Sequence, residues 1–180
     1  MSLYSPKQLA DGMRVVRKNT IAIAEDIPEN QYDYRPTPDS RSVRETLLHM
    51  ASMMLFDFHV HEEQRRTSME GFDFRRFFAE LPTNEKRSLS KDEILTALRD
   101  DGEHWCVWVE ELPEARLAEI VTRGGAGAGG KNRFEMLIGT KEHEMHHRAQ
   151  LMVIERLLGI VPHITRNRQR RPEPTEKSSV

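Results

Sequence analysis

The 180-residue chain predicts an all-α fold, a four-helix bundle. Three observations carry the prediction. Four segments place apolar residues at three- and four-residue steps, three of them open on a serine cap signal, and little of the chain alternates as a half-buried strand would.

The first helix is expected from about Ser5 to Ile27. Ser5-Pro6 supplies a cap and a proline at the first helical position. Leu9, Met13, Val16, Thr20, Ile23 and Ile27 then form one stripe, and Pro28 ends it. Residues 28–41 hold three prolines and read as an extended connector. Ser42 with Glu45 has capping-box spacing and opens a second helix through Leu47, Leu48, Ala51, Met54, Leu55 and Phe58 to about Glu63. A long crossover over residues 64–90 carries an aromatic piece, Phe72, Phe74, Phe77 and Phe78, expected to form a helical turn over the bundle. Ser90 with Glu93 repeats the box, and the third helix runs through Ile94, Leu98, Trp105, Trp108 and Leu112 to Pro113. The fourth is expected from about Asn132 to Leu158, stopped by Gly159.

The crossover between the second and third helices is long enough for them to run parallel, which tight turns would forbid. The bundle is expected to fill residues 1–164. Residues 165–180, rich in arginine and proline, are expected to be disordered. GGAGAGG (Gly124–Gly130) lacks the lysine-serine end of a phosphate-binding loop and the preceding strand of a dinucleotide fold, so it reads as a flexible connector.

Composition excludes several classes of function. Lys and Arg number 27 against 29 Asp and Glu, a net charge of −2, which argues against a nucleic-acid binder. Arg166, Arg168, Arg170 and Arg171 form the one basic cluster, in the tail. The single cysteine, Cys106, rules out an internal disulfide framework and fits a cytoplasmic setting. No apolar run is long enough to span a membrane, and no leader peptide is legible.

Eight histidines are the chemical signal. In KEHEMHHRAQ (Lys141–Gln150), His143 and His147 stand four apart, about 6 Å at Cβ on one helix face. With His143 at zero on the wheel, His147 falls near 40°, and Met136, Thr140, Gln150, Leu151, Ile154, Leu157 and Leu158 lie within about 80°. Lys141, Glu144, Arg148, Glu155 and Arg156 are assigned to the polar side. Both histidines therefore face the bundle interior, where a polar group needs a partner.

Two histidines are too few for a zinc site, and His49 on the second helix is the evident third ligand. Bundle cores assemble metal sites from facing helices in this way. Three neutral imidazoles leave a divalent ion its full charge and an open position, the chemistry of a Lewis acid or an activated nucleophile. Gln150 and Glu45 are supporting candidates by helix position. His146, at the edge of the same face, is the substitute ligand or supporting donor. His59, His61, His104 and His163 are assigned to the surface. His143–His147 also matches the zinc-protease pattern H-E-x-x-H with Glu144 as base. Against this stand the missing G-x-x-H continuation, the lack of a sheet to bind peptide, and the outward setting of Glu144.

Two segments resemble a known family. YDYRPTPDSRSVRETLLHMA (Tyr32–Ala51) is similar to the segment that leads into the second helix and its metal-binding histidine in the DinB/YfiT-like superfamily of metalloenzymes. HEMHHRAQLMVIERLLGI (His143–Ile160) resembles that family's closing helix. Ala149 stands where the family usually has glycine, and the glycine run before the last helix is a departure. The resemblance implies up-down-down-up connectivity and a site of His49, His143 and His147 holding zinc or nickel. It also implies a small-molecule substrate, a low-molecular-weight bacterial thiol among the options, a homodimer, and S-transferase or hydrolase activity. Two alternatives stand beside this: a non-catalytic stress-response or interaction bundle with a structural or vestigial metal site, and a bundle that binds an apolar ligand without metal.

Overall fold

A computed structural model describes residues 4–124 and 129–170. Helix α1 spans Pro6–Asp26, α2 Val43–Phe58, α3 Phe74–Glu80, α4 Lys91–Glu110, α5 Glu114–Leu117, α6 Arg133–Leu157 and α7 His163–Gln169. The four long helices are those expected, with α4 and α6 the third and fourth of the bundle.

Their starts are set by local chemistry. Ser5, Ser42 and Ser90 each accept from the backbone three residues on, and Gln8, Glu45 and Glu93 reach back to close the boxes. Asn132 caps α6 by accepting from the Glu135 amide. At its other end Gly159 takes a φ of +77°, a left-handed setting that glycine adopts without penalty.

Helix directions follow from cross-contacts. The Cys106 thiol donates to the Ala10 carbonyl and Arg99 pairs with Glu25, so α1 and α4 are antiparallel. Arg44 bonds the Leu89 carbonyl and Trp105 bonds Asp57, so α2 and α4 are parallel. Tyr4 packs on Phe134 while Thr20 bonds Glu144, so α1 and α6 are parallel. The up-down-down-up arrangement results. α1 and α2 each touch both α4 and α6, which makes the ring order α1, α4, α2, α6.

The core has two apolar clusters. Ile23, Ile27, Leu47, Leu48, Ile94, Leu98 and Leu151 anchor one. Leu9, Met13, Met54, Trp105, Val109 and Leu137 anchor the other. Arg17, buried on α1, lies between them in sequence. Its guanidinium pairs with Glu144 at 2.8 Å and donates to the carbonyls of Leu98 and Met50. One side chain therefore touches all four bundle helices. Gly102 on α4 makes room for it, since a Cβ there would lie 3.1 Å from Arg17 Cγ. Removing either partner of such a buried pair costs about 3–5 kcal/mol, because the other charge is left uncompensated.

Several expectations are corrected. Glu144 and Glu155 are both buried, whereas Leu157 is 58% exposed. α6 packs against α1 as well as α2, so its buried arc is wider than its apolar stripe and rotated from it. His61 is buried, not superficial. A π-helical turn, His59–Glu63, ends α2, and His61 accepts there from the buried Arg133 at 2.8 Å. His163 is half-buried and bonds Asn19, and His59 stacks on Phe77. Two short strands exist, β1 Ile120–Thr122 and β2 Gly130–Asn132, paired antiparallel. Gly130 is obligatory in this hairpin, since a Cβ would meet the Val121 carbonyl at 2.8 Å. Residues 125–128 of the glycine run lie outside the described residues. α7 occupies the start of the expected tail, and its Arg166 pairs with Asp26. The rest of that tail, from residue 171, lies outside the described residues.

Glu155 is fully buried with neither carboxylate oxygen hydrogen-bonded, and burial, aided by Asp26, raises its pKa to about 7. The folded value exceeds the unfolded one, so its contribution is fully present below about pH 4.5 and is lost as pH rises through about 7. His61, lowered to about 4 by burial and by Arg133, works in the opposite sense. The difference between wild type and Glu155→Gln isolates the glutamate. In denaturant titrations the variant's stability relative to wild type is expected to rise between pH 5 and pH 8, and a constant difference would contradict the assignment.

Candidate metal centre

The second turn of α2 and the middle of α6 bring His49, His143 and His147 together. Nε2 of His143 lies 3.0 Å from Nε2 of His49 and 3.1 Å from Nε2 of His147. Ligand atoms of all three sit within 4.8 Å of one another. His147 is buried and the other two are half-buried.

The far sides of two rings fix their protons. His49 Nδ1 lies 2.8 Å from a carboxylate oxygen of Glu85, and His147 Nδ1 lies 2.8 Å from the Gln150 carbonyl oxygen. Both are acceptors, so each imidazole carries a hydrogen on Nδ1, and a neutral ring then turns a bare Nε2 lone pair inward. Burial and the neighbouring imidazoles press the His143 pKa down to about 4, leaving it neutral at pH 7. Burial likewise lowers His147. With all three rings neutral, at most one proton lies between the two N···N contacts. One contact must set lone pair against lone pair, a conflict that a cation among the nitrogens removes. The donor set fits a divalent transition ion, whose nitrogen ligands at about 2.0–2.1 Å would be about 3.3 Å apart.

Supporting residues hold this arrangement. Glu85 comes from the crossover just before α4 and also accepts from Arg41 at 2.9 Å. Burial raises its pKa, but the bonds from His49 and Arg41 outweigh that and hold it at about 2, firmly ionised. Gln150 accepts from His147 and donates to His146 Nε2 at 3.1 Å, so one amide sets two rings. His146 is thereby outside the cluster. Glu45 instead closes the α2 capping box and pairs with Arg35 at 2.6 Å. Glu144 turns to α1, held by Arg17 and by the Thr20 hydroxyl at 2.8 Å. Its carboxylate is committed, so it cannot serve as the base that H-E-x-x-H chemistry requires.

Glu85 escaped the sequence reading because it lies in a loop with no periodicity. Arg17 escaped it because an arginine within an apolar stripe ordinarily reaches water. The buried Asp57, which accepts from Trp105 at 2.8 Å, was visible only as an acid amid the apolar residues of α2.

Two cavities flank the cluster. A larger one, about 1170 Å³, includes His147 and Gln150 and has charged walls from Arg35, Arg41 and Glu85. A smaller one, about 550 Å³, includes His143 and Asp57. Phe74 on α3 borders both.

The DinB superfamily model matches residues 13–151, more than three-quarters of the chain and all three histidines. The chain belongs to the DinB superfamily. Among solved structures, a DinB-like protein of Bacillus subtilis, YjoA, is similar at 22% identity and a TM-score of 0.62, over 84% of this chain and 92% of that one. YfiT of the same organism is similar at 16% identity and a TM-score of 0.67, over 89% of this chain and 91% of that one. YfiT is described as "a probable metal-dependent hydrolase with an unusual four-helix bundle topology". No curated protein matches the sequence. At these identities the two structures establish the DinB fold for this chain and nothing finer.

The proton assignment is testable on metal-free protein. Long-range ¹H–¹⁵N spectra above pH 7 are expected to show His49 and His147 as Nδ1–H tautomers, and Nε2–H signals for both would contradict the geometry.

Proposed function

We propose that this DinB-superfamily protein is a metal-dependent enzyme whose His49, His143 and His147 hold one divalent ion, zinc or nickel, that activates a water or a thiol. The observation that carries this reading is the convergence of three histidine Nε2 atoms, two of whose rings are held by their Nδ1 atoms on Glu85 and Gln150. An ion held by three neutral ligands supplies Lewis acidity and lowers the pKa of what binds its open position. Support for hydrolysis comes from the description of YfiT. The thiol alternative rests on the likeness to DinB/YfiT-like S-transferases.

The chain's own residues have definable tasks. Glu85 keeps the His49 proton on Nδ1 and fixes the ring's rotation, with Arg41 keeping Glu85 in place. Gln150 does the same for His147. Phe74, which lines both cavities, gives each an apolar surface near the centre. The charged wall of the larger cavity offers polar contacts to a small-molecule substrate.

Elemental analysis tests the proposal on protein purified without chelator or nickel resin. About one zinc or nickel ion per chain is expected, lost in His49→Ala and His143→Ala and kept in His104→Ala. Glu85→Gln is expected to weaken zinc affinity about 10–100-fold in competition with a chromophoric chelator. Wild type that is metal-free and takes up neither added ion would overturn the proposal.

A further inference from the structure

The smaller cavity has a character of its own. About half of its lining is apolar: Met53, Phe56, Met69, Phe74, Val121 and Met136. Methionine conforms to an apolar ligand without specifying a rigid shape. Its volume, about 550 Å³, lies within the ordinary range for small-molecule sites. Its polar groups fall in two sets. Asp57 and Thr140, both buried, lie on its lining with His143, while Thr122, Arg123 and the Lys131–Glu135 pair lie on the more exposed part.

One residue lacks a packing explanation. Gly139, one turn before His143 on α6, also lines this cavity. Among the described residues a Cβ there would meet no atom within 4 Å. Glycine weakens a helix interior, and here no close approach of backbone or side chain requires it. What the missing side chain provides is open space beside a histidine of the cluster.

We propose that this cavity binds the apolar arm, alkyl or acyl, of a small-molecule substrate whose polar, reacting end lies at His143, and that Gly139 keeps the channel open. The placement of the reacting end rests on the metal-centre reading, whereas the apolar arm rests on the cavity alone. Asp57 already takes hydrogen bonds from Trp105 and Thr140; burial outweighs them and raises its pKa to about 7, so near neutrality a protonated carboxyl can donate to the polar end.

The test uses two probe series on the full chain. With zinc-loaded protein, calorimetry compares acetohydroxamate with butano-, hexano- and octanohydroxamate. Primary alcohols from ethanol to hexanol, which need no metal, are titrated in parallel against methionine-methyl NMR signals. Affinity is expected to rise about fourfold per added methylene in both series until the cavity is filled, with the Met69 and Met136 methyls shifting. Gly139→Leu, which favours the helix and fills the space, is expected to remove this chain-length dependence. Acetohydroxamate affinity should stay within about twofold of wild type, because one buried arm and not the head is affected. Equal affinities along both series, or a Gly139→Leu protein that keeps the dependence, would overturn the proposal. Loss of all hydroxamate binding while the alcohols retain their increment would count against the metal centre and support the cavity.

Discussion

A buried ion pair sets the frame on which the site depends. Arg17 reaches from α1 to Glu144 on α6 and bonds carbonyls of α2 and α4 on the way. Three acceptors and a matched charge make this burial tolerable; an unpaired guanidinium at the same place would not be. The pair also fixes the rotation of α6. With Glu144 turned to α1, its neighbour His143 and His147 one turn on are set toward α2, where His49 waits. A polar contact at the centre of the bundle thus determines where the imidazoles point.

The histidine cluster is the second consequence of the same architecture. Parallel α2 and α4 require a long crossover, and that crossover delivers both Glu85 and the aromatic helix α3 to the site. Glu85 orients His49, and Phe74 of α3 borders both cavities. The connectivity does more than join helices. It supplies the carboxylate that holds the His49 proton and a ring that lines the space around the cluster.

Much of this was legible in the sequence. Serine caps marked three helix starts to within a residue, two with a glutamate three positions on and one with a proline at the first helical position, because capping is local chemistry that tertiary context reinforces. Histidines four apart on a core-facing helix, with a third on a helix of matching pattern, pointed to one cluster. The wheel misplaced Glu144 and Glu155 because it assumes one buried face, while α6 lies against two helices in the ring. The hairpin around Gly130 was hidden because its strands have three residues each, too few to show alternation. The helix His163–Gln169 was hidden by its composition, since one of its arginines, Arg166, pairs with Asp26 instead of remaining solvated.

X-ray absorption of zinc-loaded protein tests the central claim most directly, that three imidazoles from two helices form one metal centre. The account predicts a first shell with three histidine nitrogens at about 2.0–2.1 Å, absent from His49→Ala. A shell with two or fewer imidazoles in wild type, or one unchanged in His49→Ala, would contradict it.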